Sequence, residues 1–320
     1  MVLEFGAKNF YSFKEGFEVA FQKSKNSHDE IANIIALHGA NASGKTNVIK
    51  VLSFLQSFVQ NSFSLYKPDE PMRISSYFKN DNPIEVYIIF LDNKIEYKYE
   101  VVLTTEKIIS EKIYRTNKRE TLIIDRQENI IKVIDDYKDL QTIKLNRTNV
   151  SLVSISKQYG FKVIDDIFNL FPFITNVTAF GKLENKDRFL DYRAVSKIYY
   201  DTPQFLQFVI DFLRRVDTGI SDVRILEEKE PESGNTIYFP MFDFKTNHGI
   251  QSLTYYEQSS GTQALYSQLH LYGSVIMNGG MLALDEFDIK LHPDLLPMLL
   301  DFFGNKELNT KNAQLLLTTH

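Results

Sequence analysis

Gly39-Ala40-Asn41-Ala42-Ser43-Gly44-Lys45-Thr46 fits the pattern G-x-x-x-x-G-K-[ST]. The two glycines let backbone N–H groups wrap a polyphosphate with no Cβ in the way. The lysine reaches β and γ oxygens, and the hydroxyl that follows it ligates magnesium at a helix N-terminus. The flanks agree with this reading. Ile34-Ile35-Ala36-Leu37, before the loop, is a continuous apolar run of the kind found centrally in a sheet covered on both faces. After the loop, Val48, Val51, Leu52, Leu55, Phe58 and Val59 recur at helical spacing and predict an amphipathic helix over Lys45–Gln60. Strand, tight loop and helix together open a parallel α/β sheet. ATP and Mg²⁺ are the expected ligands, with Gly39, Asn41, Ala42, Ser43, Gly44, Lys45, Thr46 and Asn47 as the phosphate cradle.

A second apolar run, Met281-Leu282-Ala283-Leu284, ends in Asp285-Glu286. A buried strand that delivers an aspartate at its carboxyl end can reach the magnesium of the phosphate loop, so Asp285 joins Thr46 as a metal residue. Glu286 points elsewhere by strand alternation and is placed to orient or deprotonate a water. Ser259-Ser260-Gly261-Thr262-Gln263 opens a predicted helix over Thr262–Ile276. Its amides and hydroxyls suit a γ-phosphate, although the same residues also make an ordinary Ser/Gly helix start. Leu315–Thr318 is a further buried strand, with His320 at its tip. The order of these pieces narrows the class more than any one of them.

The remaining chain reads as follows. Val2–Ala7 and Phe17–Phe21 are short strands around the turn-like Asn9–Gly16. From about Ile84 to Leu145 the pattern is β, with Glu85–Leu91 and Ile95–Leu103 joined by Asp92-Asn93-Lys94, then Lys112–Tyr114, Thr121–Ile124 and Ile130–Ile134, an antiparallel meander. Helical spacing returns at Val163–Leu170 and at Thr202–Val216, where Thr202 reads as N-cap and Pro203 as the first helical residue. A last helix begins near Pro293.

Composition removes whole classes of function. The chain has 36 Lys+Arg against 41 Asp+Glu, a formal charge of −5, so nucleic-acid binding would need a local patch. Lys112, Arg115, Lys118 and Arg119 form one such cluster, which reads first as a solvated hairpin. With no cysteine there is no disulfide, zinc ribbon, thiol nucleophile or iron–sulfur cluster. No apolar run approaches a membrane span and the N-terminus is no signal peptide, which predicts a cytoplasmic protein without membrane contact. Asp135-Asp136 and Asp165-Asp166 read as solvated turns, so no second catalytic carboxylate cluster is expected.

Taken together, the sequence resembles the ABC-class ATPases of the SMC, RecF and OLD type, and more closely the AAA-type ATPases of prokaryotic abortive-infection and anti-phage modules. LEFGAKNFYSF (3–13) is similar to that group's first strand and turn, and HGANASGKTN (38–47) to its P-loop. EQSSGTQ (257–263) is similar to its signature, LALDEFDIKLHPDL (282–295) to its Walker B and D-loop, and TTH (318–320) to its switch histidine. The resemblance implies an α/β P-loop NTPase fold of the ABC-ATPase type, a mixed-sheet core with an antiparallel β meander and an inserted helical lobe. It implies one ATPase domain over 1–320: a nucleotide-binding core with the meander over 1–150, a helical lobe over 151–235, and the signature, Walker B and switch part over 236–320.

It also implies a Mg²⁺-dependent ATPase working as a homodimer or higher homo-oligomer with composite sites. Lys45 and Thr46 of one subunit would hold ATP while Ser259, Ser260 and Gly261 of another cover its γ-phosphate. Asp285 would help bind Mg²⁺, Glu286 would be the catalytic carboxylate, His320 would touch the γ-phosphate, and Asp288 through His292 would cross the dimer seam. Three departures stand out. Tyr11 replaces an arginine of the related turn, leaving Lys8 or Lys14 to supply any phosphate or base contact there. Lys290 occupies a D-loop position that is usually small, and no glutamine falls between Gln60 and Gln127 to serve as a Q-loop. Relatives also continue through more strand and helix beyond the position of His320.

Three functions follow as expectations. The first is an ATP-driven sensor and regulator of a partner effector, a nuclease, in anti-phage defence. The second is a RecF/SMC-like DNA-repair ATPase that clamps DNA in its ATP-bound dimer. The third is a nucleotide-gated scaffold that does not hydrolyse. Long heptad coiled coils, which an SMC protein needs between P-loop and signature, are absent from that stretch of sequence.

Overall fold

The computed structural model describes residues 1–24, 27–178, 181–182, 191–216, 219–230, 234–287 and 294–319. In chain order the elements are β1 (Val2–Lys8), β2 (Phe17–Ala20), β3 (Gln22–Ser24), β4 (Ser27–Ile31), β5 (Ile34–His38), α1 (Lys45–Leu65), β6 (Ile84–Asp92), β7 (Ile95–Leu103), β8 (Ile108–Thr116), β9 (Glu120–Gln127), β10 (Ile130–Val133), α2 (Leu152–Gln158), α3 (Asp165–Phe168), β11 (Phe173–Thr175), β12 (Val177–Thr178) and β13 (Gly181–Lys182). Then come α4 (Tyr192–Asp201), α5 (Pro203–Val216), β14 (Ile220–Lys229), β15 (Thr236–Thr246), β16 (Gly249–Thr254), α6 (Ser260–Asn278), β17 (Met281–Leu284), α7 (Leu295–Gly304) and β18 (Gln314–Thr319). Two compact units result. The first is Met1–Lys182 with Gly280–Phe287 and Asn312–His320, and the second is Leu183–Gly279 with Asp288–Lys311.

The first unit holds two large sheets. Seven antiparallel strands run in the order β10-β9-β8-β7-β6-β1-β2. Asn93 and Lys94 close the β6–β7 hairpin at φ 48° and 68°, the pair of positive values that a two-residue turn of the right twist requires. Ile84, Val86, Ile88 and Phe90 are buried at every second position of β6, which turns one face of this sheet to the core. The other large sheet is parallel, ordered β11-β17-β18-β5. Gln314 ties the sheets together: its amide accepts from Val2 N at 2.6 Å and donates to Val2 O at 2.8 Å.

Three expectations change here. Ile34–Leu37 is only half-buried, because β5 lies at the edge of the parallel sheet among the described residues, while β17 and β18 take the interior. An apolar run alone does not separate a central strand from a neighbour of one. The P-loop helix also continues to Leu65, past Gln60, because Ser62 is buried and its hydroxyl accepts from Ser151 N at 3.0 Å. Residues 151–182, expected with the helical lobe, belong to the first unit, where α2 packs on α1.

The second unit is not purely helical. α5 starts at Pro203 as its signals predict and buries Val209, Ile210, Phe212 and Leu213. Beside the helices stands a three-stranded antiparallel sheet, β14-β15-β16, that sequence patterning does not reveal. Arg224 clasps Asp243 across β14 and β15 at 2.6 and 2.9 Å, and Ser252 on β16 donates to the same carboxylate at 2.6 Å. Those bonds hold the Asp243 carboxyl below its usual range.

Candidate functional site

Four strand ends build the site at the carboxyl edge of the parallel sheet, where open α/β sheets present their crevice. β5 runs into the loop Gly39–Gly44 and then α1, while β17 delivers Asp285 and Glu286. Thr318 comes from β18, and Asn176 follows β11.

The loop is shaped by two unusual backbone positions. Gly44 has φ 99°, and a Cβ there would lie 2.8 Å from the Phe13 ring and 2.9 Å from Ser12 Oγ, so only glycine fits. Ala42 has φ 63°. The turn at Ser12 and Phe13 braces the loop from behind, and Asn47 Nδ2 donates to Ser12 Oγ at 2.9 Å. α1 begins with no side-chain cap and no acidic residue in its first turn, which leaves its amide end suited to an anion.

Asn41, Ala42, Ser43, Gly44, Lys45, Thr46, Asn47, Asp285 and Glu286 line one cavity of about 560 Å³. Lys45 Nζ donates to the carbonyl oxygens of Gly39 and Ala40, the second at 3.1 Å. Thr46 Oγ1 donates to Asp285 Oδ2 at 2.8 Å, which leaves its lone pairs for a cation. Thr318 Oγ1 donates to Asp285 Oδ1 at 2.6 Å. Asn176 brackets the Asp285 main chain, accepting from its N–H at 2.8 Å and donating to its carbonyl at 2.9 Å. Glu286 adopts φ 53°, and its N–H donates to Thr318 Oγ1 at 2.8 Å. An anion-binding helix end, a lysine, a hydroxyl and two carboxylates around one cavity fit a magnesium–triphosphate.

The residue range 34–320 matches the profile of the AAA domain described as putative AbiEii toxin, type IV TA system. The chain belongs to that AAA family. No curated protein matches it. Among solved structures, an SMC head bound to the C-winged helix domain of ScpA is similar at TM-score 0.52 and 13% identity, covering 99% of this chain and 89% of that one. The SMC head domain from Thermotoga maritima gives 0.45 at 16% identity, covering 100% and 89%. The SMC head with an extended coiled coil from Pyrococcus furiosus, bound to the C-terminal domain of ScpA, gives 0.47 at 13%, covering 99% and 89%. The fold of this AAA protein is that of the ABC-type P-loop NTPases.

The other expected site residues fall elsewhere. Ser259, Ser260 and Gly261 lie in the second unit at the start of α6, where Ser259 Oγ accepts from Thr262 N at 3.2 Å and so caps the helix. His320 and Asp288 through His292 lie outside the described residues. Lys8 pairs with Glu85 at 3.4 Å and Lys14 with Glu15 at 3.7 Å, both on the surface. Lys50, one helical turn past Thr46, sets its ammonium 4.1 Å from the Tyr11 ring centroid. Burial lowers the Lys50 pKa, opposed by the Asp285 charge, and burial with Tyr66 nearby pushes Tyr11 up to about 12. Thr318, Asn176 and Lys50 are the site residues that sequence reasoning misses. Thr318 alone has a signal there, a hydroxyl directly after the buried run Leu315-Leu316-Leu317.

Proposed function

We propose that this AAA protein binds ATP with Mg²⁺ at Gly39–Asn47 and hydrolyses it, as a homodimer or higher homo-oligomer that regulates a partner effector of the nuclease class in anti-phage defence. The observation that supports it is the convergence of Lys45, Thr46, Asp285 and Glu286 on one cavity. Magnesium, when bound, neutralises charge developing on the phosphate oxygens. Lys45 exchanges its loop carbonyls for the β and γ oxygens. Thr46 and Asp285 hold the cation, and the hydroxyl bond between them keeps both pointed one way. Glu286 orients or deprotonates the attacking water. Ser259, Ser260 and Gly261 of a second copy would cover the γ-phosphate, and His320 would touch it. The family description names a putative AbiEii toxin of a type IV TA system, and the defence setting and a cytoplasmic location are proposed beside it. Among the described residues no helix is long and apolar enough to cross a membrane.

Glu286→Gln tests the core of this reading. The change removes the water-orienting carboxylate and leaves the phosphate cradle intact, so ATP should stay bound while phosphate release falls at least 100-fold, about 2.7 kcal/mol of barrier. Light scattering should then show an accumulated ATP-bound dimer. Hydrolysis at the wild-type rate would move the catalytic role to another residue, and no phosphate release from the wild type would favour a nucleotide-gated scaffold.

A DNA-clamping ATPase is the second reading, supported by the SMC-head fold and by Lys118 and Arg119, both exposed at the β8–β9 turn. Arg115 of that cluster is occupied by Asp136 at 3.1 Å. Hydrolysis stimulated by duplex DNA, and lost in Lys118→Glu/Arg119→Glu, would favour it over effector control.

A further inference from the structure

We propose that Thr318 is a positioning residue that couples the metal carboxylate Asp285 to Glu286 through a single hydroxyl; the inference rests on the ATPase reading above. Thr318 is fully buried and follows Leu315-Leu316-Leu317 in β18. A hydroxyl in that position is costly unless both its donor and its acceptor are used. Both are used inside the site. The Glu286 amide can only donate, and the Asp285 carboxylate can only accept. The one hydroxyl proton therefore has a fixed direction, from Glu286 N–H to Thr318 Oγ1 at 2.8 Å and from Thr318 O–H to Asp285 Oδ1 at 2.6 Å. Thr46 holds the other carboxylate oxygen, so the two hydroxyls fix the plane of Asp285.

Glu286 needs such an anchor. Its φ of 53° is a left-handed conformation that costs a non-glycine residue free energy and persists where the surroundings impose it. Thr318 imposes it twice, through its hydroxyl and through its carbonyl, which accepts from Phe287 N at 3.1 Å. Beside the peptide bond that the two residues share, Thr318 Oγ1 gives a second route by which a reorientation of the Asp285 carboxylate on taking up a cation reaches the Glu286 amide. A valine at 318 keeps the shape of the side chain and removes both bonds; a serine keeps both and removes only a methyl.

The test compares Thr318→Val and Thr318→Ser with the wild-type chain by three readouts: binding of a fluorescent ATP analogue without metal, Mn²⁺ affinity of the ATP complex by electron paramagnetic resonance, and phosphate release. Wild type and Lys45→Ala are read first, because no ATP binding by the wild type, or equal binding by both chains, overturns the nucleotide reading and not the role of Thr318. Thr318→Val should bind the metal-free analogue within threefold of wild type. Its Mn²⁺ affinity should fall about tenfold and its kcat more than tenfold, while Thr318→Ser stays within threefold on all three readouts. A folded Thr318→Val with wild-type Mn²⁺ affinity and kcat would overturn the proposal. So would a Thr318→Ser as impaired as valine, which would assign the effect to methyl packing. If Thr318→Val does not fold, the serine comparison and Thr318→Cys decide: the poorly hydrogen-bonding thiol should lose Mn²⁺ affinity and kcat, and a fully active cysteine variant would overturn the coupling.

Discussion

Glu111 and Asp285 are buried carboxylates of the same unit, 0% and 3% exposed, and the molecule uses them in opposite ways. Glu111 is closed on every side. Tyr99 and Ser151 hydroxyls donate to Oε1 at 2.8 and 2.7 Å, and Leu152 N and Arg126 Nη1 donate to Oε2 at 2.8 and 3.2 Å. Arg126 is itself fully buried and donates to the carbonyls of Val150 and Glu128. Asp285 takes two hydroxyls and no ion pair among the described residues, and it borders a cavity that also holds Lys45 and Glu286. A buried charge needs a partner. Glu111 has its cation built into the fold and works as a lock between the meander and α2; Asp285 has no such cation among the described residues, as its proposed metal role requires.

The pair can be broken apart by substitution. Glu111→Leu leaves the Arg126 guanidinium buried without its carboxylate and should destabilise the chain by about 3–5 kcal/mol, seen as a lowered melting temperature, with ATP binding by the folded fraction unchanged. Asp285→Asn should do the reverse: a melting shift worth less than about 1 kcal/mol, with phosphate release reduced at least tenfold, about 1.4 kcal/mol. Equal melting losses in the two variants would erase the distinction between lock and site.

A buried ionisable group of the second unit sharpens the rule from the neutral side. Burial lowers the His270 pKa to about 4, against a weaker opposing backbone bond at Ser267. The unfolded chain takes up a proton near pH 6.5 and the folded chain only near 4. Stability from this group is therefore complete above pH 6.5 and declines as pH falls from 6.5 toward 4, by about 3 kcal/mol in all. Urea unfolding at pH 7 and pH 4.5 should show that loss in wild type and a much smaller one in His270→Phe. A parallel loss in both would place the titration elsewhere.

What is legible in the sequence follows from how far the chain must travel to complete each feature. The P-loop and the Asp285-Glu286 pair are contiguous, and glycine, lysine, hydroxyl and carboxylate announce their chemistry in place. Thr318 reaches Asp285 across 33 residues and Asn176 across 109, and both contacts depend on the strand order β11-β17-β18-β5, which no local pattern carries. The β6–β7 hairpin is legible because its turn residues and alternation agree. β14 is hidden for the opposite reason: Leu226, Glu227, Glu228 and Lys229 are all exposed at its far end, so alternation fades where the strand leaves the helices. The edge position of β5 is equally silent, since the apolar composition is the same on either side of β18.

The smallest effect concerns the hydroxyl that each carboxylate recruits. Ser151 stands to Glu111 as Thr318 stands to Asp285, donating at 2.7 Å, and it also accepts from Val153 N at 3.1 Å as the N-cap of α2. Ser151→Ala removes a helix cap and one of four donors to Glu111. The three that remain include the guanidinium, so the carboxylate keeps its charge partner and the loss should be that of a cap, about 1 kcal/mol. Phosphate release and Mn²⁺ affinity should stay at wild-type values, because no atom of Ser151 touches the cavity residues. Thermal melting and phosphate release on the same preparation check both halves. A melting loss as large as that of Glu111→Leu would mean that the hydroxyl, and not Arg126, keeps the lock closed. A loss of turnover without a melting shift would mean that the two carboxylates are coupled through α1, which receives the Ser151 amide at Ser62 and carries Thr46 at its other end.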